Sequence, residues 1–124
     1  MGRFSDLKHG SDKRLELWEK YKAQIKKLLE EVNEQVFDNR CSIVEDAVRA
    51  THSTHAEITK PNYLFSTKKD GKAFCISTYP GGVYLRVYLW VNLWTYQDLG
   101  AVQPDPELKN LEQSIRSCLT VISG

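Results

Sequence analysis

The 124-residue chain is expected to fold as an α+β domain. Its parts are a long N-terminal helix, a short second helix, an antiparallel β-meander of three strands or more, and a C-terminal helix. Three observations lead there. Apolar residues in the first third of the chain recur three and four apart, the spacing of one helix face. Across residues 83–96 they switch to strict alternation, the period of a strand. After Asp105 the helical spacing returns. Helix, then strands, then helix is the order of an α+β fold rather than of repeated βαβ units.

Residues 1–10 read as a mobile tail before a single domain spanning 11–124. Ser11 suits the N-cap of a helix through "DKRLELWEKYKAQIKKLLEEVNEQVF". Its seam of Trp18, Tyr21, Ile25, Leu28 and Val32 is widened by Leu17, Leu29 and Val36. A stripe that wide fits a sheet or a bundle better than one partner helix. After "FDNR", Ser42 and Glu45 match a capping box, and Ile43, Val44, Ala47 and Val48 give "SIVEDAVRAT" an apolar side. A short second helix is expected there. "HSTHAEITKPN" reads as a connector with a short strand at "AEIT", and Lys60 before Pro61 should be extended.

Asp70-Gly71 is a two-residue hairpin signal, because both positions tolerate positive φ. Pairing across it sets Phe65 opposite Ile76 and Thr67 opposite Phe74. A two-residue turn at Gly81-Gly82 or Pro80-Gly81 keeps Phe74 and Ile76 beside Leu85, Val87 and Leu89. A three-residue loop would instead set Cys75 against Val87 and break the aliphatic face. Residues 83–96 exceed the usual strand of about 5–6 residues, so the stretch must bend near Asn92 or pair its far end outside the meander. In the last segment Asp105 is a fitting N-cap, with Pro106 at the first helical position and Glu107 favouring the positive end of the dipole. Leu108, Leu111, Ile115, Cys118, Leu119 and Ile122 form its stripe. The hairpin "AFCISTYPGGVYLRVYLWV" resembles a strand pair of MATH-type receptor-adaptor domains, over that hairpin alone. The C-terminal helix falls where that sandwich has further strands, and no residue role carries across.

Composition narrows the function. Hydrophobic residues make up 41% and charged residues 27%, as in an ordinary globular protein. Seventeen basic and sixteen acidic residues, mixed along the chain, leave a net charge of +1. That is not the clustered basic excess by which nucleic-acid binders neutralise phosphates, so nucleic acid is not favoured. Cys41, Cys75 and Cys118 are odd in number and widely spaced, which implies no disulfide framework and a reducing, cytoplasmic setting. No run of about 18 apolar residues exists to span a membrane.

Nothing calls for a cofactor or metal. His52 and His55 are the histidines close in sequence, with Glu57 the acidic candidate beside them, whereas a metal site needs three or four ligands. "HST" and "HGS" fit the elements of two-histidine phosphoesterases, but His9 falls in the expected tail. Cys75 and Cys118 fall where small buried hydrophobes belong. No nucleophile, base and oxyanion donors assemble, so no catalytic residue is assigned. "KKDGK", Lys68 to Lys72, is a basic hairpin tip.

The distinctive feature is a strand with two apolar sides. Val83, Leu85, Val87, Leu89, Val91 and Leu93 form a core face; Tyr84, Arg86, Tyr88, Trp90, Asn92, Trp94 and Tyr96 form the other. Ala73, Cys75, Ser77 and Tyr79 lie beside those rings and complete a shallow trough. The first helix could cover it with Trp18 and Tyr21, a second copy could meet it, or planar ligands could stack in it. Arg86 and Asn92 are awkward to bury unpaired, and Tyr, Trp and Arg are the residues in which interfaces concentrate binding energy. The expected function is therefore a non-enzymatic protein–protein interaction or dimerisation module. It forms a homodimer or binds another protein, with Tyr84, Arg86, Tyr88, Trp90 and Trp94 at or near the interface. The alternative is a single-stranded nucleic-acid or planar-ligand binder on the same face. A metal-dependent or phosphoester-acting enzyme comes third.

Overall fold

The computed structural model describes residues 5–51, 56–58 and 60–123. Helix α1 (Ser5–Phe37) is followed by β1 (Ser42–Glu45), β2 (Ala50–Thr51), β3 (Ala56–Glu57), β4 (Asn62–Ser66), β5 (Ala73–Thr78), β6 (Leu85–Trp90), β7 (Tyr96–Val102) and α2 (Lys109–Ile122). Five strands form one antiparallel sheet in the order β1-β4-β5-β6-β7, and β2 with β3 form a separate ribbon. The α+β class is the expected one. The sheet has five strands, two beyond the expected three-stranded core that allowed for more, and the described residues hold two helices rather than three.

The difference begins at "SIVE", expected to be helical and found as edge strand β1, with Val44 opposite Leu64 and Ile43 opposite Phe65. Two asparagine side chains bracket it. Asn33 Nδ2 donates to the Cys41 carbonyl at 3.1 Å, and Asn33 Oδ1 accepts from the Cys41 amide at 3.0 Å. Asn62 does the same to Ala47, at 3.2 and 3.1 Å. Each amide group substitutes for a strand neighbour, and the chain between is held extended. β-Branched Ile43 and Val44 suit that geometry better than a helix.

The second correction lies at the far end of residues 83–96. The chain bends at Asn92, as its length demanded, through a turn in which Asn92 Oδ1 accepts from the amides of Trp94 and Thr95, both at 2.8 Å. The returning segment is β7, which pairs with β6 and closes that edge within the same chain. It carries a bulge opposite Arg86–Tyr88, where Asp98 Oδ1 accepts from the Gly100 amide. α1 starts at Ser5, ahead of the cap expected at Ser11, so part of the supposed tail is helix; residues 1–4 lie outside the described residues. The short strand expected at "AEIT" is β3 at Ala56–Glu57, and Thr59 lies outside the description.

The β5–β6 register is the expected one, with Phe74 opposite Leu89 and Ile76 opposite Val87. Its loop is four residues, closed by Tyr79 N–H donating to the Tyr84 carbonyl at 2.8 Å. Pro80 and Gly81 (φ 100°) occupy the middle of a turn over 79–82, the positions where a type II turn wants them. Gly82 has a further reason to be glycine: a Cβ there would sit 2.5 Å from the Lys13 carbonyl carbon of α1. At the other hairpin, Asp70 and Gly71 do take positive φ, 58° and 70°. Thr67, not Lys69, donates its amide to Lys72. Two extra residues on the β4 side shift the register by two, so Phe65 faces Phe74 and Tyr63 faces Ile76. An even shift preserves which side every residue points to.

Both helices lie on the aliphatic side of the sheet. Trp18, Tyr21, Ile25 and Leu29 of α1, with Leu111, Ile115, Cys118 and Ile122 of α2, pack on Tyr63, Phe65, Phe74, Ile76, Leu85, Val87 and Leu89. Rings meet across this layer, Trp18 with Tyr63 at 5.3 Å and Phe65 with Phe74 at 4.9 Å. Asp105 caps α2, though not at the residue before the helix. Pro106 and Glu107 form a turn, and the carboxylate reaches past it to the amides of Lys109 (2.9 Å) and Asn110 (3.0 Å). Those bonds hold the Asp105 carboxyl below its usual range. No helix among the described residues is long and apolar enough to cross a membrane.

Candidate functional site

Pleating sends Arg86, Tyr88 and Trp90 of β6 to the side away from the helices, where Ser77, Cys75 and Ala73 stand directly opposite them on β5. The pairing anticipated from alternation is therefore present, and the buried residues of α1 pack on the opposite side, while its Arg14 reaches the sheet edge and donates to Thr78. Among the described residues, Ala47 and Ile58 of the segment between β1 and β4 pack beside Trp90, Ser77 donates through Oγ to the Pro61 carbonyl at 2.7 Å, and Arg86 and Tyr88 stay partly exposed.

At one end, Ala47 and Ile58 close with Leu64, Ala73, Cys75 and Trp90 into a second small core. Asn62 anchors the segment through Ala47, and the Asp46 amide donates to the Asn62 carbonyl at 2.8 Å. The Arg49 guanidinium lies 4.8 Å above the Trp90 ring and donates to the Gly71 carbonyl at 2.6 Å. Trp90 is fully buried, 0% exposed. It stands beside the partly exposed surface, with its ring against Tyr88 and Tyr96. Burial pushes the Cys75 thiol up to about 12 despite the nearby Arg49 charge, and pushes Cys118 up to about 12 as well. A thiol so raised is a poor nucleophile at neutral pH.

The partly exposed half is centred on Arg86. Its guanidinium lies 4.6 Å from the Tyr79 ring and 4.8 Å from the Tyr88 ring, and donates through Nη2 to Asp98 Oδ2 at 2.7 Å. Hydrogen bonding to Asp98 raises the Arg86 pKa above its ordinary value. Burial tends to lift the Asp98 carboxyl, but the bonds from Arg86 and the Gly100 amide outweigh it and hold that carboxyl below the usual range. Burial raises the Tyr88 phenol. Tyr88, Trp90 and Tyr96 form a ring triangle with centroids 5.8 to 6.1 Å apart. The rings of the open half are thus fixed by one another and by a neutralised cation.

Of the five residues expected at the interface, Arg86 and Tyr88 sit at this centre, and Tyr84 borders it with 43% of its surface exposed. Trp94 is 80% exposed in the β6–β7 turn. The six residues of β6 separate it from Tyr84 by about 20 Å, so it belongs to another patch. Sequence reasoning missed Asp98, because β7 was not foreseen; the Asn92 turn followed by Tyr96 was the available signal. Nor was the packing of Ala47, Arg49 and Ile58 beside Trp90 foreseen.

Among the described residues, no group of three or more His, Cys, Asp and Glu side chains gathers as a metal site would require; His52 and His55 lie outside them. His9 falls within α1. Comparison with protein-family models, with curated proteins and with solved structures finds no match to this chain.

Proposed function

We propose that this chain is a non-enzymatic interaction module that pairs with a second copy of itself through the partly exposed half-face around Tyr79, Tyr84, Arg86 and Tyr88. The observation that carries the reading is Arg86, clamped between two tyrosine rings and tied to Asp98 on a partly exposed stretch of the sheet face turned away from the helices. Rings immobilised before association lose little side-chain freedom on binding, about 0.5–1.5 kcal/mol less per residue than mobile ones. The cation is already matched by a carboxylate, which suits a protein surface and offers little to a phosphate backbone. A two-fold axis through the patch would set Arg86 of each copy toward Asp98 of the other, so the surface complements itself. Three free thiols accord with a reducing, cytoplasmic setting.

Sedimentation equilibrium tests this. Tyr88→Ala and Tyr84→Ala, each shown by circular dichroism to remain folded, should weaken the dimer by about 2 kcal/mol or roughly thirtyfold. A wild type that stays monomeric throughout the concentration range sinks the reading. Oligonucleotide titration at two salt concentrations addresses the alternative, since affinity that falls steeply with salt would assign the face to nucleic acid.

A further inference from the structure

A second site lies away from that face, where both helices end. Between the C-terminus of α1, the start of β1, the β4–β5 hairpin and the C-terminus of α2 is a cleft of about 560 Å³. That volume falls within the range of small-molecule sites, roughly 300–1,000 Å³. We propose that it binds a small single-chain amphiphilic anion, its tail against Phe37 and Ile122 and its head group beside Arg40, Lys68 and Lys69.

The lining carries that assignment. Val36, Phe37, Cys41 and Ile122 supply an apolar floor, and among the described residues the cleft's charged lining is Arg40, Lys68 and Lys69, with no carboxylate beside them. Val36 is 45% exposed there, an apolar surface that an occupant would cover. The Arg40 Nε donates to the Phe37 carbonyl at 2.8 Å, which fixes the side chain at the rim. Among the described residues neither Lys68 nor Lys69 is paired with a carboxylate. An uncharged hydrocarbon would leave those cations unanswered, and an inorganic anion would leave the floor wet. A carboxylate or sulfate on an alkyl chain meets both demands.

Cys41 makes the occupant measurable. It is half-buried in the cleft wall, whereas Cys75 and Cys118 are buried, so alkylation of the folded chain should be confined to Cys41. Neutral iodoacetamide would be timed against Cys41, with peptide mass spectrometry as readout and sodium hexanoate, octanoate or decanoate as protectant. The expected result is saturable protection that tightens about fourfold per added methylene. Decanol and inorganic phosphate should each be at least roughly tenfold weaker, as should decanoate on the Lys68→Glu/Lys69→Glu variant, where attraction becomes repulsion at two positions. The Lys68→Arg/Lys69→Arg variant should bind as wild type does. The proposal is overturned by absence of protection, by decanol or phosphate protecting as well as decanoate, or by the two double variants behaving alike.

Discussion

The two faces of the sheet are built from the same strands and are covered by different means. One is sealed by two amphipathic helices whose stripes run the length of the layer, and its aromatic and aliphatic residues interlock. The other has Ala47 and Ile58 of an irregular connector packed on one part, held by one asparagine and one arginine, while a partly exposed part is stiffened by ring contacts and an ion pair. The contrast teaches that side chains on a sheet face can be held by one another where no helix packs on them. The helix-covered face derives its order from burial. The open half-face derives it from Arg86, whose planar cation fills the gap between Tyr79 and Tyr88 as a further ring would.

The sharpest way to break the comparison is at the helix-covered face. Phe74 is wholly buried and stacked on Phe65, so Phe74→Ala should lower unfolding free energy in urea by about 3–5 kcal/mol, the range for truncating a core aromatic. Asn62→Ala should cost less, about 2–3 kcal/mol, because it orphans the amide and carbonyl of Ala47 in a buried setting. Its signature should be local. Hydrogen exchange should quicken at Ala47 and Ile58 while β5 amides remain protected. Equal loss of protection on both faces would show that the connector is no separate cover but part of one cooperative core.

The smallest effect concerns pH. Asp98 has its carboxyl pKa held below the usual value of about 3.9, so its contribution is complete above that value. The contribution is lost as pH falls through the lower folded-state pKa, because the unfolded chain then takes up the proton first. Asp98→Asn should therefore flatten the acid limb of the stability curve and leave its neutral region nearly level. Both partners are partly exposed, so the change is modest. An unaltered acid limb in Asp98→Asn would remove the ion pair from the account of the open half-face.

How far residues announced their own environment varied along the chain. Helix α2 could be read directly, since its stripe from Leu108 to Ile122 has one period and one side. β6 was equally plain, and so was the pairing of β5 with β6, because Pro80 and Gly81 allow few other turns. The β4–β5 hairpin was readable in its turn but not in its pairing. Nothing local to Lys68 and Lys69 says whether they join the ladder or bulge from it. β1 misled outright: Ser42 and Glu45 carry a helix-start pattern, and the pairing with β4 together with the side chains of Asn33 and Asn62, all outside that pattern, decides against it. At the open half-face, Arg86 and Tyr88 were visible from alternation, whereas their partner Asp98 sits in a segment whose Gln97, Asp98 and Gly100 are poor strand formers.

What the residue order determined alone is therefore periodicity: which side chains share a face, where the first and last helices run, and that β6 has apolar character on both sides. Those are local properties, set by backbone geometry over a few residues. Tertiary structure decided which strand took each vacant edge, and which part of the aromatic side Ala47 and Ile58 packed against. Such choices depend on hydrogen-bonding groups left unpaired after the local elements form, and they are satisfied by whichever segment can reach them. No short window of sequence holds that information, because the donor and the acceptor lie in different parts of the chain.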